Sequence, residues 1–357
     1  MTTFPLRFLT FLVLLPISLV FSNKDGSAQE TTVQKYVVTV ERIWDRAAHS
    51  AFTDIVRLND HLYCTFREGS GHIPGRNGLV RVIRSDDGMN WESVALLDEP
   101  HVDLRDPKLS VTSDGRLMVN MGASYYHDTK RVGIESRVAF YNAEEEEFSA
   151  PIKVVLPDEA RTGFDWLWRI TWHDGWAWGC VQQVPNRSDR ALHLVRSQDG
   201  IHFEHVTQLD VPFPTETTLR FLEDNTMIAM IRRAGGDSIG WIGTAKPPYT
   251  NWTFQKSNKR FGGPNFVPLP DGSWLAGSRG YGGKQATTAL WRFDPQSAKF
   301  TDLLELPSGG DTSYPGFVID EEHDRVLVSY YSSHEGKAAI YLATLRLDVL
   351  QGGSGVR

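Results

Sequence analysis

The chain has 357 residues, a formal net charge of −7, 41% hydrophobic residues and 23% charged ones. That length and composition suit a globular protein with a large core, and the negative balance argues against a general binder of nucleic acid or anionic membranes. The 11 Trp, 11 Tyr and 18 Phe suit a β-rich protein, and one that stacks on sugar rings.

Arg7 is the lone charge ahead of the apolar run "FLTFLVLLPISLVF", and small residues follow at Ser22 and Gly26–Ala28. The run is short for a membrane span, so residues 1–28 read as a secretory signal peptide, with a retained anchor as the alternative. The mature chain is then exported, periplasmic or extracellular, without stable membrane insertion. Cys64 and Cys180 both fall in apolar strand-like runs. Buried free thiols are expected there, with a single bridge as the alternative.

From residue 35 onward the chain repeats one device: an apolar run, a tight acidic turn, a second apolar run. Six such hairpins turn at Asp60, Asp114, Asp174, Asp224, Asp271 and Asp324. Asp-Gly and related turns between alternating runs are strong hairpin signals. A second strand pair follows most of them, as in "LVRVIRSDDGMNWESVALL" and "TALWRFDPQSAKFTDLLEL". Four strands per unit of about 50 residues is a β-propeller blade. The last unit has only three strands, and "YVVTVERIW" precedes the first. The expectation is therefore all-β: one six-bladed propeller over residues 35–348, closed by the N-terminal strand completing the last blade. A disordered tail is expected at 349–357.

In a four-stranded meander, the start of strand 1 and the loop between strands 2 and 3 lie on the same face. Here that face carries the costly side chains. The strand starts and loops bring Asp54, Arg67, His72, Arg105, Asp106, Trp166, Arg169, Glu216, Arg232, Arg233, Arg279, Tyr314 and His334 to one mouth. Arginines mixed with carboxylates and aromatics suit a small, charged, ring-shaped ligand. On "FDWLWR", Trp166 and Trp168 share one strand face, while Arg169 lies on the other. Arg232 and Arg233 are adjacent on a strand, so only one of them faces the channel. The sequence carries no zinc-ligand spacing, no phosphate-binding Gly-rich loop and no Gly-x-Ser-x-Gly elbow. No cofactor or metal is expected.

Two turns, Ser85–Trp91 and Ser197–Phe203, read Ser-x-Asp-Gly-x-x-aromatic. They resemble the Asp-box of the sialidase (neuraminidase) superfamily, one residue short. With the order Glu216, Arg232 or Arg233, Arg279, Tyr314, the chain resembles that superfamily over most of its mature length. The resemblance implies a tyrosine nucleophile at Tyr314, a glutamate base at Glu216 and arginines that hold an anionic group. It breaks in the first blade. The family's Phe/Tyr-Arg-Ile-Pro is replaced by "FTDI", with Thr53 and Asp54 at the arginine and its neighbour. The later loop, "REGSGHIPGRNG", has no aspartate to serve as acid/base. His72 is the candidate for that role, with Glu68, Asp54 and Asp106 as rivals. Arg67, Arg76 or Arg105 is a candidate for the missing positive charge.

The chemistry of the pair is plausible without the resemblance. A phenol is a poor nucleophile at neutral pH, and a carboxylate in hydrogen-bond reach takes its proton during attack. The expected function is a secreted, exo-acting glycoside hydrolase that releases a terminal acidic sugar with retention. A propeller lyase acting on uronic acids and a non-catalytic glycan-binding propeller are the rival expectations.

Overall fold

The computed structural model describes residues 35–72, 78–184 and 190–352. The expected signal peptide, the candidate Arg76 and the end of the expected tail lie outside the described residues. Six antiparallel sheets follow one another along the chain, giving an all-β, six-bladed propeller with almost no helix. The inner strands are His49–Leu58, Asp103–Val111, Asp165–His173, Pro214–Phe221, Asn265–Pro268 and Thr312–Asp320, and we number the blades one to six in that order. In the sixth blade Val37–Trp44 pairs antiparallel with Ala339–Arg346 as the outermost strand.

Blade packing explains the composition of the strands. Second strands such as His61–Gly69 are buried on both faces, because a neighbouring blade covers each side, and they read as near-continuous apolar runs. Cys64 and Cys180 fall in such strands and are free and buried, and burial pushes both thiols up. The two turns with the Ser-x-Asp-Gly pattern are closed by their own acids. Asp87 accepts from the amides of Met89 and Asn90 at 2.7 and 2.8 Å, and Asp199 does the same for Ile201 and His202. Among the described residues no helix is long and apolar enough to cross a membrane.

The chain end differs from expectation. Leu347–Leu350 is a short helix whose Leu347 and Leu350 are buried, and the Leu350 carbonyl accepts a hydrogen bond from Arg292 of the fifth blade. Two leucines that cap the apolar edge of the last sheet order a segment whose glycine-rich continuation suggested disorder.

One irregularity recurs and positions the site. In five of the inner strands the pairing register slips near the start: between Ala51 and Asp54, Arg105 and Lys108, Leu167 and Ile170, Pro214 and Thr217, and Ser313 and Gly316. Such a bulge re-aims a side chain that would otherwise face the next blade. Phe52, Asp106 and Tyr314 adopt positive φ there, at 65°, 50° and 57°. Left-handed backbone is costly for non-glycine residues, about 1–3 kcal/mol each, and clusters at functional sites.

Candidate active site

Where the inner strands converge, Tyr314 and Glu216 meet. The Tyr314 hydroxyl donates to Glu216 Oε1 at 2.8 Å. The same oxygen accepts from Arg232 Nη1 at 2.5 Å, and Glu216 Oε2 accepts from the Gly263 amide at 2.6 Å. Burial alone would raise the Glu216 carboxyl, but the Arg232 charge and these donors outweigh it and hold it below its ordinary value. Burial and the Glu216 charge push the Tyr314 phenol well up. The resting pair is thus a neutral phenol facing a carboxylate. Both are nearly buried, at 7% and 6% exposure.

Gly263 comes this close because it has no side chain. Its φ is 62°, and a Cβ there would lie 2.5 Å from the Tyr314 ring. From the fifth blade Arg279 places its guanidinium 5.6 Å from the Tyr314 ring centroid. It donates to the Tyr331 hydroxyl at 2.7 Å and to the Thr312 carbonyl at 3.0 Å. Phe52, Trp168 and Tyr331 surround the Tyr314 ring at 5.2, 5.7 and 6.1 Å.

His72 stands at the rim, one ring away. Its Nδ1 donates to Asp311 Oδ1 at 3.0 Å, and its ring meets Phe52 edge-on at 5.0 Å. Asp311 also accepts from His49 Nε2 at 2.8 Å and from the Tyr331 hydroxyl at 3.1 Å. Burial pushes the Asp311 carboxyl up, but the His49 and His72 bonds outweigh it and hold it far below the carboxylate range. The donor atoms of His49, His72 and Asp311 lie within 4.8 Å of one another. They fit a cation poorly, because His49 Nδ1 is buried without a partner. A metal on Nε2 would force a proton onto Nδ1 with nothing to accept it. The cluster is better matched to two imidazoles sharing one carboxylate, with Nε2 of His72 left for other work.

The remaining candidates divide. Asp54 and Arg169 form a buried pair at 2.6 Å under the site, and Asp54 also accepts from the Leu109 amide at 2.9 Å. Arg105 bonds Asp106 at 3.1 Å and lies 5.3 Å from the Phe52 ring. Trp166 packs on Trp168 at 5.5 Å, so these tryptophans reach the channel through Trp168 rather than through Trp166.

Three expectations are corrected. Arg233 turns into its own blade, donating to the Pro212 carbonyl and to Asp237, each at 2.8 Å; strand alternation leaves Arg232 at the channel. Arg67 is fully buried against Asp103 and the Gly71 carbonyl and offers nothing to a ligand. His334 packs on Tyr341 at 4.5 Å and bonds Ser332, outside the cluster around Tyr314.

Four contributors escaped the sequence reading: Lys108, His49, Tyr331 and Gly263. Lys108 follows Asp106 by two residues, which strand alternation would have placed on the same face, but the proline between them drew no attention to the pair. Thr53 has a role that explains the first-blade departure. Its hydroxyl donates to the Tyr314 carbonyl at 2.8 Å, so it holds the nucleophile candidate's backbone where the resemblance implied an arginine.

The six sheets and the convergence of their inner strands define a six-bladed β-propeller. In particular, the chain is similar to a protein of unknown function from Dyadobacter fermentans, with TM-score 0.76, 18% identity, and 87% of this chain and 98% of that one covered. It is similar to Trypanosoma rangeli sialidase in complex with the inhibitor DANA, with TM-score 0.69 and 12% identity over 89% of this chain; the chain spans 59% of that protein's length. An α-L-arabinofuranosidase from Fusarium graminearum matches with TM-score 0.64 and 14% identity, covering 88% of this chain and 99% of that one. No protein-family model matches the chain, and no curated protein does.

Proposed function

We propose that the protein is an exo-acting retaining glycoside hydrolase that uses a tyrosine nucleophile. The observation that carries this reading is the 2.8 Å bond from Tyr314 to Glu216, at the axis of a fold that similar solved structures use for glycosidases. Tyr314 Oη attacks the anomeric carbon and Glu216 takes its proton as the bond forms. His72 enters the first step as the imidazolium with its Nδ1–H on Asp311, gives its Nε2 proton to the leaving oxygen, and as the resulting neutral imidazole later takes one from the attacking water. Arg232, 2.5 Å from Glu216, and Arg279, 5.6 Å from the Tyr314 ring centroid, hold an anionic group on the sugar. A neutral phenol approaches such a sugar without the repulsion that a carboxylate nucleophile would meet. The near burial of the pair favours a terminal unit entering end on. The leader-like N-terminus supports export, and the pairing of Val37–Trp44 with the last blade supports closure of the ring by that strand.

The test is a glycoside panel (sialosides, other 2-keto acid glycosides, uronides, rhamnosides and arabinofuranosides) with wild type and Tyr314→Phe. NMR of the first-formed product reads its anomeric configuration. Retention, with turnover abolished in Tyr314→Phe, is the expected result. Full turnover by Tyr314→Phe, an inverted product, or an unsaturated product absorbing in the ultraviolet would each overturn the mechanism.

A further inference from the structure

Lys108 is a buried charge that the mechanism above leaves unused. It is 1% exposed, and it sits on the inner strand of the second blade just past the bulge that turns Asp106. Its ammonium donates to the Pro107 carbonyl at 2.9 Å and to the Thr53 carbonyl at 3.4 Å. Among the described residues it makes no ion pair. Burying an ammonium on two carbonyls alone is costly, and an apolar side chain of the same length would pack there at lower cost. What the charge faces is aromatic. Nζ lies 5.0 Å from the Trp168 ring centroid and 5.6 Å from that of Tyr314. At this depth no sugar reaches it, so a role in holding substrate is excluded by burial. The carboxylates of Asp54, Asp106 and Glu216 also act on it as standing charges; the group beside it at which new negative charge can develop during turnover is the Tyr314 phenol.

We propose that Lys108 is the electrostatic partner of Tyr314, and that its charge under the ring stabilises the phenolate that departs when the covalent intermediate is hydrolysed. This rests on the assignment of Tyr314 as nucleophile. In that step water oxygen bonds to the anomeric carbon and its proton passes to His72. The bond from the anomeric carbon to Tyr314 Oη breaks, and its electron pair stays on Oη. The proton that Glu216 took during attack returns to Oη. Until it does, the ring carries a negative charge, and Lys108 is a buried cation 5.6 Å from the ring centroid, as the Arg279 guanidinium is. A fixed charge already aimed at the developing one needs no reorganisation.

The geometry has a consequence for pH. Burial, with the Arg169 charge adding to it and the Asp54, Asp106 and Glu216 carboxylates opposing it, pushes the Lys108 ammonium down to about 8. As pH rises through that value the charge is lost, so kcat falls on the alkaline side.

Lys108→Met tests this with a 4-nitrophenyl glycoside of the sugar that the wild type turns over. The expected result is a kcat lower by about 10²-fold, a pre-steady-state burst of nitrophenol, a lowered KM as the intermediate accumulates, and no alkaline limb near pH 8. Tm should be unchanged or higher, because an unpaired buried charge has been removed. If kcat and its alkaline limb match wild type, the assignment is wrong. If Tm falls and the two chemical steps slow alike, Lys108 is only a packing residue, and the assignment is again wrong. Tyr314→Phe separates the two levels. Full turnover by that variant sinks the nucleophile reading itself, whereas an inactive Tyr314→Phe beside a wild-type-like Lys108→Met sinks only the role of Lys108.

Discussion

The two sides of the propeller axis are built differently. Blades four to six bring together Glu216 and Tyr314, which can exchange a proton, with Arg232 on Glu216 and Arg279 beside the Tyr314 ring. Blades one to three present charges already matched to one another: Asp54 with Arg169, Arg105 with Asp106, Arg67 with Asp103. Most of the first half is equipped to react and most of the second holds the first in place, with His72 of the first blade and Lys108 of the second as the exceptions. A charged residue at a strand mouth therefore does not announce its role. What separates the two kinds is whether its partner is another fixed charge or a group that can exchange a proton.

Breaking the reactive half should have the largest effect. Tyr314→Phe keeps the ring among Phe52, Trp168 and Tyr331 but removes the attacking oxygen, so kcat should fall by several orders of magnitude with Tm little changed, as steady-state assays and thermal melts will read. Glu216→Gln should cost about 10²–10⁴-fold in kcat/KM, the usual range for a general base. It should also change acid stability. The Glu216 carboxyl is held below its ordinary value, so its contribution is present above that value and is lost as pH falls through the lower, folded one. The Tm of wild type should therefore decline toward acid pH more steeply than that of Glu216→Gln. Gly263→Ala puts a methyl group into the Tyr314 ring at a backbone angle that disfavours any side chain. Activity should drop sharply, and a crystal structure should show the Tyr314–Glu216 bond lengthened.

Breaking the holding half should reverse the balance of effects. Asp54→Ala leaves Arg169 buried without its carboxylate, which costs about 3–5 kcal/mol and should appear as a lower urea midpoint. Arg233→Gln should have the smallest effect: about 1–3 kcal/mol of stability for its lost bonds, with KM unchanged. A raised KM for Arg233→Gln would mean that it, and not Arg232, faces the ligand.

The architecture was legible because propeller blades write their turns into the sequence. Six acidic hairpins at regular spacing need no tertiary information, and the faces follow from the meander. The pair Tyr314–Glu216 was legible through its order in the repeat. What stayed hidden depends on the bulges. Strand alternation says that Arg232 and Arg233 point opposite ways, but the direction of each is fixed by where the register slips. Arg67 sits near the end of the strand His61–Gly69 and His334 in a loop, yet Arg67 is drawn down by Asp103 and His334 is drawn aside by Tyr341. Lys108 was missed because a buried lysine has no sequence signature; what marks it is its burial on two carbonyls with no ion pair among the described residues. The helix at Leu347–Leu350 was missed because four residues are too few to show a period.

Asp54 reaches beyond its own blade in three directions. It pairs with Arg169 of the third blade, accepts from Leu109 of the second, and lies where any side chain at Gly316 of the sixth would strike it. It works as a keystone in an arch of wedges. A seam between blades cannot part near the axis without stripping this carboxylate of partners in the dry interior. Fraying is thereby confined to the outer strands, amide exchange should be slowest beside Asp54, and the strained backbone of Tyr314 rests on the part of the ring that opens last.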